Sequence, residues 1–91
     1  MDFEWDREKA AANLEKHDVS FEEASTAFGD PLSVSIGDPG HSRDEERFLL
    51  LGLTFTGRLV VVSHTDRGER IRLISARLAS RRERRVYEQD T

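Results

Sequence analysis

The chain has no cysteine, which removes disulfides, thiolate nucleophiles and cysteine-based zinc sites together. Its three histidines, His17, His41 and His64, are too few and too scattered for a metal cluster. There is no HExxH pair, no Walker loop, no GxGxxG turn and no GxSxG elbow, so zincin, nucleotide-binding and serine-hydrolase chemistries lose their usual carriers. No apolar run approaches the ~18 residues of a membrane span. The opening MDFEWDREK lacks the apolar stretch of a signal peptide. The expectation is one soluble cytoplasmic domain over residues 1–91, with no cofactor, no metal and no membrane association.

What is present is charge, unevenly placed. Met1–Glu46 carries 13 acidic and 4 basic residues, a balance of −9, whereas Arg47–Thr91 carries 10 arginines and 5 acidic residues, a balance of +5. Five arginines, Arg77, Arg81, Arg82, Arg84 and Arg85, fall within nine positions near the end. Such asymmetry implies either a polyanion site in the second half or ion pairing between the halves. Charge alone leaves both open.

Patterning places these charges on elements. Asp6 is a helix N-cap with Glu8 in the first turn, and the helix should run from about Arg7 to Lys16. Lys9, Asn13, Lys16 and His17 recur at helical spacing along it. Asp18 follows, where a left-handed cap favours glycine. Ser20 and Glu23 form a capping box for a second, short helix, with Val19 stapled to Ala24, and Gly29 with Asp30-Pro31 ends it. The period then changes to two. Strands are expected around Leu32–Ile36, Arg47–Thr54, Leu59–Thr65 and Arg70–Ala76, with Val60–Val62 central and buried on both faces. A second capping box, Ser80 with Glu83, opens a final helix carrying Glu83 and Tyr87 on one side. The predicted fold is α+β: two N-terminal helices, a four-stranded antiparallel meander and a short C-terminal helix.

The remaining chemistry suits a phosphodiester. Cleaving RNA without a metal needs a base for the 2′-OH, an acid for the leaving oxygen and fixed cations for the developing charge. Arg77, at a strand end beside a helix start, is the leading phosphate ligand, with a salt bridge to the acidic half as the alternative. A simple hairpin register would bring Arg67 to the same end of the sheet. His64, near the end of the third strand, is either a proton carrier or simply hydrogen-bonded. Glu83 and Tyr87 are first a cap and an anchor, and either could also act at a 2′-OH. Trp5 with Phe3 packs onto the core or stacks a base. His41 lies in a polar loop and reads as solvated.

Three separated stretches, FEWDREKAAANLEKHDVSFEEASTAFGDP (Phe3–Pro31), EERFLLLG (Glu45–Gly52) and IRLISARLASRRERRVYE (Ile71–Glu88), resemble the BrnT family of bacterial type II toxins. The resemblance implies a RelE-like fold and a metal-independent endoribonuclease that inhibits translation. It also implies neutralisation by a BrnA-like ribbon-helix-helix antitoxin in a 2:2 hetero-oligomer, with operator DNA bound only through that complex. The family's pattern falls on Trp5, Asp6, Lys9, Asn13, Lys16 and His17, and again on Ser75, Ala76, Arg77, Arg81–Arg84, Tyr87 and Glu88. A basic turn falls on Arg67. In this reading His64, Arg67, Arg77, Glu83 and Tyr87 carry catalysis, and Trp5, Lys9, Lys16, His17 and Arg82 line the RNA path. Two departures stand out: Asp18 where the family has glycine, and Leu78 where it commonly has lysine. The alternative is a non-catalytic or degenerate module that binds only its antitoxin or a nucleic acid.

Overall fold

Local signals start each helix in the computed structural model, which describes residues 1–38, 40 and 45–89; His41 lies outside them. Asp6 caps α1 (Arg7–His17), its carboxylate accepting the Lys9 N–H at 2.9 Å. Ser20 caps α2 (Phe21–Thr26), its hydroxyl accepting the Glu23 N–H at 3.0 Å. A 3-10 turn over Ala27–Gly29 follows. Ser80 and Glu83 close a reciprocal capping box at the start of α3 (Arg81–Gln89). At α2 the box is only half made. The Glu23 carboxylate turns instead to the Arg58 guanidinium, accepting from Nε at 2.9 Å, and to the hydroxyls of Thr54 and Thr56.

The sheet has five strands rather than four: β1 (Asp2–Glu4), β2 (Val34–Gly37), β3 (Phe48–Leu53), β4 (Leu59–Arg67) and β5 (Arg70–Leu78), in spatial order β1-β5-β4-β3-β2. β2 to β5 form the expected antiparallel meander. β1 adds in parallel to β5, matching Asp2 to Arg70 and Glu4 to Arg72. Three residues reading DFE carry no alternation, so this strand forms through tertiary pairing, with Phe3 edge-on to Phe28 at 5.1 Å. β4 is central, and Val60, Val61 and Val62 are all buried, as their apolar run implies.

The two faces bury different sets. α1, α2 and the 3-10 turn cover one face, where Val19, Phe21, Ala24, Leu50, Val60, Val62, Leu73 and Ala76 pack together. On the other face α3 sets Tyr87 against Leu51, Leu59 and Val61. Gly52 is where the first layer comes closest: a Cβ there would meet the Ala27 carbonyl at 3.0 Å. The β4–β5 hairpin turns at Gly68, whose φ of 63° matches the first position of a type II′ turn.

Asp18 takes the left-handed cap that its position demands, at φ 57°, with its N–H bonded to the Leu14 carbonyl. Arg58 donates to the Asp18 backbone carbonyl at 2.9 Å, whereas the Asp18 carboxylate is almost fully exposed and 3.9 Å from the guanidinium. Asp18→Gly therefore relieves backbone strain and keeps the useful contact. Expected is a gain of ~0.5–1 kcal/mol, read as a Tm rise of ~2–6 °C.

Glu23 gives the fold a pH dependence. The Arg58 hydrogen bond, working against burial and helped by Thr56 and Thr54, lowers its pKa from 4.5 to about 2. A folded pKa below the unfolded one adds stability above pH 4.5, and that stability drains away as pH falls toward 2. Thermal melts of Glu23→Gln should start lower at pH 7 and fall less steeply between pH 5 and 2 than wild type.

Candidate active site

Arg77 lies in register with Val61, so its side chain stands on the α3 face of the sheet. There it meets Glu83, whose position one turn into α3 is fixed by the capping box. Nη1 donates to Oε1 at 2.8 Å and Nη2 to Oε2 at 2.9 Å, a fork-to-fork pair, while Nη1 also donates to the Leu78 carbonyl at 3.3 Å. The Arg77 hydrogen bond, opposed by burial, holds the Glu83 pKa at about 2; the pairing pushes the arginine's own pKa up. Two N–H groups on the adjacent edge of the guanidinium, Nε–H and the second Nη2–H, make no hydrogen bond among the described residues. That edge is spaced for two oxygens of one phosphate.

From Arg77 the surface continues in one direction. Beyond Arg72, β5 has no β1 partner, and α1 lies along that unpaired edge. A groove lined by Lys9, Lys16 and His17 of α1 opens there onto Ile74 and Ser75 of β5. The same two β5 residues also line the hollow that holds Arg77, together with Arg47, the residue before β3. The two depressions thus meet across the strand edge. Lys9, Lys16 and His17 make no side-chain hydrogen bond or ion pair among the described residues, so their charge and donors face the groove.

Asn13 builds this junction. Its amide donates to the Ala76 carbonyl at 2.8 Å and the Val19 carbonyl at 2.9 Å, and its oxygen accepts the Ala76 N–H at 3.0 Å. One side chain thereby replaces the missing strand partner of Ala76 and locks α1 against β5. The sequence placed Asn13 with the groove residues by helical spacing. Nothing in that pattern shows it buried.

Other residues of the expected site lie elsewhere. Arg67 pairs with Arg70 at the hairpin turn, whereas Arg77 pairs with Val61 six residues away along β4. The two arginines sit at opposite ends of the strands, ~20 Å apart, and Arg67 approaches Glu45 at 3.8 Å. His64 shares the helical face with Phe28, edge-on at 4.8 Å, across the sheet from Arg77. It is buried, its Nδ1 lies 3.1 Å from the Val62 carbonyl, and burial pushes its pKa down, favouring the neutral ring. Tyr87 is buried too; its hydroxyl donates to Asp30 at 2.6 Å, which drives its pKa up to about 12. Burial disfavours the Asp30 charge, yet hydrogen bonds from the Leu53 N–H, Tyr87 and the Leu32 N–H outweigh it and lower the pKa. Tyr87 is therefore an anchor joining α3 to the loop after α2. Trp5 packs edge-on against Phe21 at 5.8 Å and lies half-buried against the core layer.

The arginine run resolves in the same way. Arg58 pairs with Glu23 and Arg72 with Glu4, which links the two halves of the chain. Arg81, Arg82, Arg84 and Arg85 are exposed on α3 and carry no ion pair among the described residues.

The family model described as "Ribonuclease toxin, BrnT, of type II toxin-antitoxin system" matches residues 5–83. The chain belongs to the BrnT family. The match includes the groove residues of α1 and β5 and ends on Glu83, the partner of Arg77. The crystal structure of the Brucella abortus ribonuclease toxin BrnT superposes with a TM-score of 0.65 at 23% identity, covering 89% of this chain and 99% of that one. At that identity the likeness establishes the α+β fold. No curated protein matches the sequence. As a BrnT-family ribonuclease toxin of a type II system, the chain has an antitoxin as its counterpart.

Proposed function

We propose that this BrnT-family chain is a metal-independent endoribonuclease that inhibits translation, and that a BrnA-like ribbon-helix-helix antitoxin neutralises it in a 2:2 complex. The observation that carries the reading is Arg77: a guanidinium fixed by Glu83 on one edge and open on the other, at the end of a cationic groove. In the proposed reaction the 2′-oxygen bonds to phosphorus, the bond to the 5′-oxygen breaks, and a 2′,3′-cyclic phosphate remains. Arg77 holds two phosphate oxygens as charge builds on them. Lys9 and Lys16 hold the flanking backbone, and Arg82 extends the cationic track. Glu83 is the candidate base. While it is paired, its pKa of about 2 makes it a weak one, and a phosphate that draws on the Arg77 charge raises its basicity. His17 is the group on the track with the chemistry to protonate the leaving 5′-oxygen.

The second reading, a toxin-like module that binds without cutting, draws on Leu78, 47% exposed beside Arg77 where the family commonly has lysine. Induced expression in a bacterium lacking the antitoxin separates the two. Growth arrest with loss of intact RNA is expected from wild type and not from Arg77→Ala. Well-expressed, folded wild type that leaves growth and RNA untouched would contradict the enzyme.

A further inference from the structure

We infer that the apolar groove beside α3 is where the antitoxin inserts an acidic, amphipathic segment; this rests on reading the chain as a neutralised toxin. The groove, about 170 Å³, is lined by Val34 and Ile36 of β2, Leu49 and Leu51 of β3, Val61 of β4 and Val86 of α3. Ile36 is 58% exposed and Val86 45%. Its lining is aliphatic, with no ring on which a base could stack, which favours apolar side chains of a protein over RNA.

Charge around the groove chooses the kind of segment. Val86 lines the groove and Tyr87 lies buried beyond it, which sets the rotation of α3. Arg82 stands one turn before Val86 and flanks the groove, whereas Arg85, two residues before buried Tyr87, points away from the sheet. Arg84 and Arg81 fall on the far flank, past Tyr87. Neither Arg82 nor Arg85 has an ion pair among the described residues. An apolar trough with the unpaired Arg82 guanidinium on its rim fits a segment that alternates apolar anchors with carboxylates.

The position accounts for inhibition. Glu83 closes one end of the groove while holding Arg77. A segment seated there lies against the Arg77–Glu83 pair, and its carboxylates compete with RNA phosphate for the same cations. Neutralisation then needs no change of fold.

The test measures binding of the antitoxin encoded beside this chain to purified variants by calorimetry. Ile36→Glu puts a charge in the trough, and Val86→Glu is the second probe should the first fail to fold by circular dichroism. Either is expected to weaken binding at least tenfold, as is Arg82→Glu. Arg81→Glu with Arg84→Glu on the far flank of the helix should change it less than threefold. Free Ile36→Glu should cleave RNA as wild type does. Groove variants that bind as tightly as wild type overturn the assignment, as do far-side arginines that matter equally. Self-association of wild type that Ile36→Glu abolishes would also overturn it, making the occupant a second copy. Wild type that binds antitoxin but leaves RNA intact overturns the cleavage reading alone, and the binding arms still decide the docking site.

Discussion

Arg77→Ala is expected to lower the single-turnover rate of RNA cleavage by ~10²–10³-fold, the usual cost of removing one fixed donor from a developing oxyanion. The side chain supplies charge and a planar two-point grip, and neither Arg67, at the other end of the strands, nor buried His64 is placed to substitute. Arg77→Lys keeps the charge and loses the fork, so only a small part of the rate should return. Folding is a separate matter. The Arg77–Glu83 pair is 45% and 30% exposed, and the loss in stability should be ~1 kcal/mol or less. Glu83 keeps its Ser80 N–H partner in either variant. A folded Arg77→Ala protein cutting within tenfold of wild type would remove Arg77 from the chemistry.

Asn13→Ala should give the largest loss of stability of any single truncation discussed. It breaks three buried hydrogen bonds and leaves the Ala76 N–H, the Ala76 carbonyl and the Val19 carbonyl without their partner, with Val19 and Ala76 fully buried. Each stranded group costs ~1–3 kcal/mol, and ~3–5 kcal/mol in all is expected. A chain of this size has total stability of the same order, so Tm should drop by at least ~12 °C. Asn13→Asp separates polarity from shape. It keeps the acceptor for the Ala76 N–H but sets a carboxylate against two carbonyls, so it should be as damaging at pH 7. Part of the loss should return as pH falls and the acid protonates to a donor. Thermal melts at pH 7 and pH 4 read both effects. A change under 1 kcal/mol for Asn13→Ala would show that α1 is held to β5 by packing alone.

The parts of the fold that local chemistry determines were legible in the sequence. Caps at Asp6, Ser20 and Ser80 act within four residues, and the alternation from Leu32 to Ala76 reads directly as strands. The α1 groove residues share one side because helical spacing alone puts Lys9, Lys16 and His17 together. Misplaced or missed were features set by distant partners. β1 exists only because β5 offers it an edge. Glu23 left its capping box for Arg58, 35 residues on, and Tyr87 gave its hydroxyl to Asp30, 57 residues back. His64 has the parity of Val60 and Val62, but a run buried on both sides does not say which face the helices cover. The separation of Arg67 from Arg77 follows from the two-residue turn at Gly68, which sends β5 back along the whole of β4.

Charge asymmetry had two readings, a polyanion site or pairing between the halves, and the pairing is present. Arg58 and Arg72 tie the basic half to the acidic one. The arginines of α3 are exposed and carry no ion pair among the described residues, and binding of a polyanion is the role proposed for them.

The proposed 2′-OH-driven cleavage by fixed cations is read directly in the product ends. Purified wild type in excess chelator should cut a defined oligoribonucleotide to fragments ending in a 2′,3′-cyclic phosphate and a 5′-hydroxyl. A single 2′-deoxy substitution at the cut position should stop cleavage there. Cleavage that requires an added divalent ion, leaves a 3′-hydroxyl end, or proceeds through the 2′-deoxy position would contradict it.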